Sequence, residues 1–188
     1  MTTFSVGTRF LERSRFYLGK EYPAKIRAAL RAMPADRLWW RANPGSNSAG
    51  NLVLHLAGNV RQWVVSGVGG APDVRHRDAE FAATEMSAAV SGAASMDALI
   101  ATLDAACADA VTVLERLTVD SLGEPRVIQG RETTVFAAVY HVVEHFSGHT
   151  GQIIQLAKQC APGAVKFYDD AGGLARPLFL GEASSDID

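Results

Sequence analysis

The apolar residues of this chain recur at helical spacing in four long stretches, and almost nowhere do they alternate as a half-buried strand requires. The first stretch runs from about Thr8 to Met33, with Phe10, Tyr17, Ile26, Leu30 and Met33 on its inward side. Pro23 should kink or break it, because proline removes a backbone donor and clashes with the preceding turn. The second follows Pro44-Gly-Ser-Asn-Ser48, where Ser46, Asn47 or Ser48 can cap it, and runs to about Ser66 before Gly67-Val-Gly-Gly70. The third spans about Ser95 to Leu117, with Leu99, Leu103, Ala106, Ala110, Val113 and Leu117 in register. Thr133 or Thr134 caps the fourth, which reaches about Lys158, and Glu124–Gly130 before it is β-like at most. The expected fold is all-α, a four-helix bundle in one domain over residues 1–188. Its core lies within about 8–160, and 161–188 forms an irregular tail, loosely ordered at Gly172-Gly173 and Ser184–Asp188. Residues 68–94 make a long connection, with a short helix near Ala83–Val90, that could cross the bundle.

Of the 188 residues, 48% are hydrophobic, enough for one full core. A net charge of -2 gives no basic excess to hold nucleic acid or an anionic membrane, so neither is an expected partner. No apolar segment has the length of a signal peptide or a membrane span, and a cytoplasmic location is expected. Cys107 and Cys160 are too few for a disulfide scaffold. Neither has a sequence neighbour that would lower its pKa, so no protein nucleophile stands out.

The chemistry-bearing residues are histidines. His55 lies in the second helix, and His141, His145 and His149 follow one another at four-residue spacing in the fourth. That spacing puts them on one helical stripe with Gln152, bordering the apolar sector of Val139, Val142, Phe146 and Ile153. Gly148 and Gly151 would let a ligand or another helix approach closely. Two of these imidazoles and His55 would make a three-nitrogen metal site with an open position, the spacing leaving open which two. On the second helix Asn51, Asn59 and Gln62 share the stripe of His55. A polar seam in so apolar a helix needs partners, and these amides are candidates to orient the ligands or a bound water. His76, in a charged loop, reads as solvated.

Three segments together resemble the DinB-like (YfiT-like) superfamily, in its domain-of-unknown-function branch. They are Asn51-Leu-Val-Leu-His-Leu-Ala-Gly-Asn-Val-Arg-Gln-Trp63, Arg75-His-Arg-Asp-Ala-Glu-Phe81 and His141-Val-Val-Glu-His-Phe-Ser-Gly-His-Thr-Gly-Gln152. The likeness extends from about Phe10 to Gln159. It implies an antiparallel four-helix bundle, often a homodimer, holding a divalent metal, usually zinc or nickel, on His55, His145 and His149. His141 would then be a neighbour of the ligands. Thr150 stands where the family carries an arginine, a departure that bears on substrate binding.

Three functions are open to such a site. In a thiol S-transferase, a low-molecular-weight thiol would lose its proton at the metal and attack a small electrophile held under the 68–94 connection, with Arg75 and Arg77 as candidate substrate contacts. In a hydrolase, metal-lowered water pKa would supply hydroxide, but Glu144, the acid nearest in sequence, projects about 100° from His145. A non-enzymatic metal-binding role would call for a fourth protein ligand, for which the sequence offers only the poorly placed His141.

Overall fold

In a computed structural model of the protein, the described residues are 5–90, 92, 94–169, 173 and 176–180. The expected loose ends at Gly172 and 184–188 lie outside them. The first long helix comprises α1 (Val6–Phe16), a π-helical turn at Tyr17–Glu21, and α2 (Tyr22–Ala32). Pro23 therefore does not break the helix. It sits in the first turn of α2, buried, after a widened turn that relieves the hydrogen bond proline cannot make. The second is α3 (Ala49–Val60), extended in π form through Arg61–Val68, two residues beyond the expected end. Ser48 caps it in a full capping box with Asn51, and Gly70, with φ of 81°, closes it in the left-handed conformation.

The connection carries α4 (Arg77–Ala82), which the sequence reading did not anticipate, and α5 (Glu85–Val90), near the expected short helix. Next come α6 (Met96–Glu115), capped by Ser95, and α7 (Val135–Cys160), capped by Thr134. Between them β1 (Pro125–Ile128) pairs antiparallel with β2 (Arg131–Thr134). The turn residues Gln129 and Gly130 have φ of 53° and 71°, the mirror-image turn that tight hairpins favour. The expected β-like segment is thus half of a real hairpin. The tail adds one short antiparallel pair, β3 (Tyr168–Asp169) with β4 (Arg176–Pro177). Among the described residues no helix is long and apolar enough to cross a membrane.

The core is continuous and includes Leu18, Ile26, Leu56, Leu103, Phe146 and Ile153, all essentially without solvent exposure. The first and second long helices each pack against both α6 and α7. Contacts along these seams set the directions. Phe10 meets Phe136 and Tyr22 meets Phe146, so the first helix runs parallel to α7. Arg61 pairs with Asp109, while Trp39, before α3, donates to the Ala94 carbonyl just ahead of α6, so the second helix and α6 also run parallel. Trp63 meets His141 while His55 meets His149, so α3 and α7 are antiparallel. Not every neighbouring pair is therefore antiparallel, as the family resemblance implied. Two consecutive helices point the same way, and the chain between them must return along the bundle.

That return explains the long connection. It runs back beside α3 and its extension, with Asp73 and Arg75 bonded to Gln62, Glu80 to His55, and the Ala83 carbonyl to Asn51. The connection is a strap laid along the polar stripe of the second helix.

Candidate metal centre

His55 comes from the middle of α3 and is 4% exposed; His145 and His149 come from successive turns of α7 and are half-buried. The antiparallel packing of α3 against α7 brings the three together. Each offers a nitrogen within 4.8 Å of the others, so the group could hold a metal ion. The Nε2 atoms of His55 and His145 face one another at 2.9 Å. The ring centroids lie 4.9 Å apart for His55–His145, 5.1 Å for His55–His149 and 4.4 Å for His145–His149.

The donor set fits a divalent cation. His55 Nδ1 lies 2.9 Å from Glu80 Oε2. A carboxylate only accepts, so Nδ1 carries the proton and Nε2 presents its lone pair to the site. Arg75 Nη2 lies 3.1 Å from the same Nδ1, but both donate to Glu80 Oε2, so this is two donors sharing one acceptor. His149 Nδ1 likewise donates to Gln152 Oε1 at 2.8 Å and leaves its Nε2 free. Burial pushes the His145 pKa down to about 3, helped by the neighbouring His149, His55, His141 and Arg75. Burial also lowers that of His149. Both are therefore neutral at physiological pH, the form in which imidazole binds a metal.

Glu80 belongs to the strap and is 9% exposed. Burial alone would raise its pKa, but hydrogen bonds from Arg75 and His55, with their charges, hold it below the ordinary carboxylate value. Arg75 grips both oxygens, Nε to Oε1 at 2.7 Å and Nη2 to Oε2 at 2.8 Å. The approach depends on Gly58, where a Cβ would fall 2.0 Å from Glu80 Oε1. Phe81 then covers the face of His55 at 4.5 Å, and the Arg77 guanidinium lies over Phe81 at 4.9 Å.

The remaining expected residues take varied places. Asn51 donates to the carbonyls of Glu80 and Ala83, each at 2.8 Å, and accepts from Arg41, so it anchors the strap rather than touching an imidazole. Gln62 accepts from Arg75 and Gln129 and donates to Asp73. Asn59 is buried, and its Oδ1 has no hydrogen-bond partner among the described residues. His141 packs against Trp63 in a tilted contact, ring centroids 4.3 Å apart, and stands 5.4 Å from His145, outside the trio. The Arg75 guanidinium is engaged by the protein itself, and Arg77 by Phe81. Glu80, Arg41 and Phe81 were not singled out as site residues by sequence reasoning. The cluster Arg75–Phe81 was visible, but which of its members turned inward was not.

The histidines open into a depression of about 420 Å³ lined by His141, Glu144, His145, Gly148, His149 and Gln152. Glu144 thus lines this mouth, although helical geometry separates it from His145. No described atom lies within 4 Å of a Cβ built on Gly148, so the missing side chain leaves room for a ligand rather than for another helix.

No curated protein matches the chain. Among solved structures, it resembles a DinB-like protein, YjoA of Bacillus subtilis, at 17% identity and a TM-score of 0.60, covering 86% of this chain and 97% of that one. At that identity the likeness shows the all-helical fold. Residues 5–167 match the model of a family described as a protein of unknown function, DUF1572. The chain belongs to the DUF1572 family.

Proposed function

We propose that this protein is a metal- and thiol-dependent S-transferase acting on small electrophiles. The observation that carries the reading is the trio itself: three imidazoles converge on one point, each of the outer two held by an acceptor on its far nitrogen. A divalent cation on three neutral imidazoles keeps its full charge and supplies the field that holds a thiol as its thiolate. Zinc and nickel are the metals that suit such ligands.

The chain's own residues then have defined work. Glu80 and Arg75 hold the His55 ring in one tautomer and orientation. Gln152 does the same for His149. Burial keeps His145 unprotonated. Glu144, the carboxylate in the lining of the depression, is placed to take the thiol proton to solvent. The thiol is a low-molecular-weight cofactor, since Cys107 is buried with its pKa pushed up to about 12 by desolvation. The sulfur attacks the electrophile and its leaving group departs, with no covalent bond to the protein. The substrate is a small molecule; nucleic acid and membrane play no part, and the protein works in the cytoplasm as a homodimer.

Glu144 also supports a second reading. A carboxylate at the mouth of a metal site is the base that hydrolysis by metal-activated water requires. One experiment separates the two. The protein is purified without a histidine tag, its metal content measured, and turnover of a chromogenic electrophile followed with and without bacterial low-molecular-weight thiols. Metal with thiol-dependent turnover supports the transferase. Ester or amide cleavage without thiol supports the hydrolase. Bound metal with neither activity sinks both and leaves a binding protein.

A further inference from the structure

A second cavity, of about 660 Å³, lies under the strap and is distinct from the histidine depression. It is bounded by Leu54, Val65, Pro72, Val74, Ala79 and Ala82, with Arg75 and Glu80 on its wall and none of the three histidines in its lining. Glu80 links the two places, because it touches His55 on one side and lines the cavity on the other.

We infer that this cavity is a binding site for an uncharged, largely apolar small molecule. Three observations carry this. Its volume falls in the range of pockets that enclose small ligands. Its charged lining residues are already answered within the chain: Arg75 by Glu80, Arg61 by Asp109, and Asp73 by Gln62 and the Arg75 backbone N–H. Asp73 keeps its charge against neutral donors but is solvent-exposed, so a charged ligand would gain little from it against its own desolvation. Finally, Val74 at the lining is 76% exposed and Met86, next to the lining residues Ser87 and Ala88, is 81% exposed. Large apolar side chains held in water beside an apolar cavity are what a ligand would cover. The small residues opposite them, Ala79, Ala82 and Ala88, are what leaves the space.

This site does not depend on a metal, and its test does not either. Nile red, a neutral apolar dye, is titrated into the full chain and its fluorescence followed. Saturable binding of one dye per chain is expected. Val65→Trp and Ala79→Phe enlarge lining residues on the helix extension and on α4, and each should weaken the dye by about tenfold or more while the far-UV circular dichroism is unchanged. His149→Ala, which strips the other site, should leave dye affinity within about twofold. Non-saturable dye uptake, full affinity in a folded filled variant, or an equal loss in His149→Ala would overturn the inference. Should one filled variant not fold, the other decides. A metal-free preparation that still binds the dye separates this result from the fate of the transferase reading.

Discussion

At the scale of single residues, Glu80 is the side chain on which the candidate centre turns, since it is the strap's acceptor for the Nδ1 of a candidate metal ligand. Glu80→Ala is expected to weaken zinc binding by about 10–100-fold, read by competition with a chromogenic chelator, while the helical signal persists. An unchanged zinc affinity would show that the His55 tautomer needs no such partner. The cysteines give an independent check on burial. Cys107 is 2% exposed with a pKa near 12, whereas Cys160 is half-buried at the end of α7. An aromatic disulfide reagent at pH 8 should label Cys160 alone in the native chain and both thiols in denaturant. Rapid native labelling of Cys107 would contradict the packing of α6. The stripe of His141, His145 and His149 was legible because helical spacing is local, while the choice of His145 and His149 with His55 came from the family resemblance. Glu80 was not legible, because it lies 25 residues from His55 and only the path of the strap unites them.

At the scale of elements, caps and close approaches decide what holds. Ser48 accepts from the Asn51 N–H, and Asn51 reaches back to the Ser48 N–H. Ser48→Ala should cost about 1 kcal/mol in urea unfolding. Where the strap meets α3, Gly58→Ala is the sharper test. Glu80 is pinned by two partners and cannot swing aside freely, so the added methyl should cost about 1–3 kcal/mol and weaken zinc binding together. Loss of stability with zinc affinity intact would mean that Glu80 relaxes without disturbing His55. The helix starts at Ser48, Ser95 and Thr134 were readable because caps have a local chemistry. The π-helical turns were not, since a widened turn at Tyr17–Glu21 answers to Pro23 and to core packing at once. Likewise β2, Arg-Glu-Thr-Thr, carries no apolar alternation and is a strand only because β1 lies beside it.

At the scale of the whole molecule, the core is complete without any ion. Leu18, Ile26, Phe146 and their neighbours are buried by protein alone. Chelation should therefore leave the chain folded, unlike a zinc finger. Zinc at about a hundredfold excess over its Kd should add about 2.7 kcal/mol to stability, a gain that His145→Ala abolishes. Helical collapse on chelation would contradict this. The arrangement of the helices has one more consequence. The 20 residues of the second helix and its extension span about 30 Å, a distance that roughly nine extended residues could retrace. The chain uses 27 residues between Val68 and Met96. The surplus is topologically unnecessary. A residue added or removed away from its Arg75–Glu80 contacts need not change how the bundle is wound.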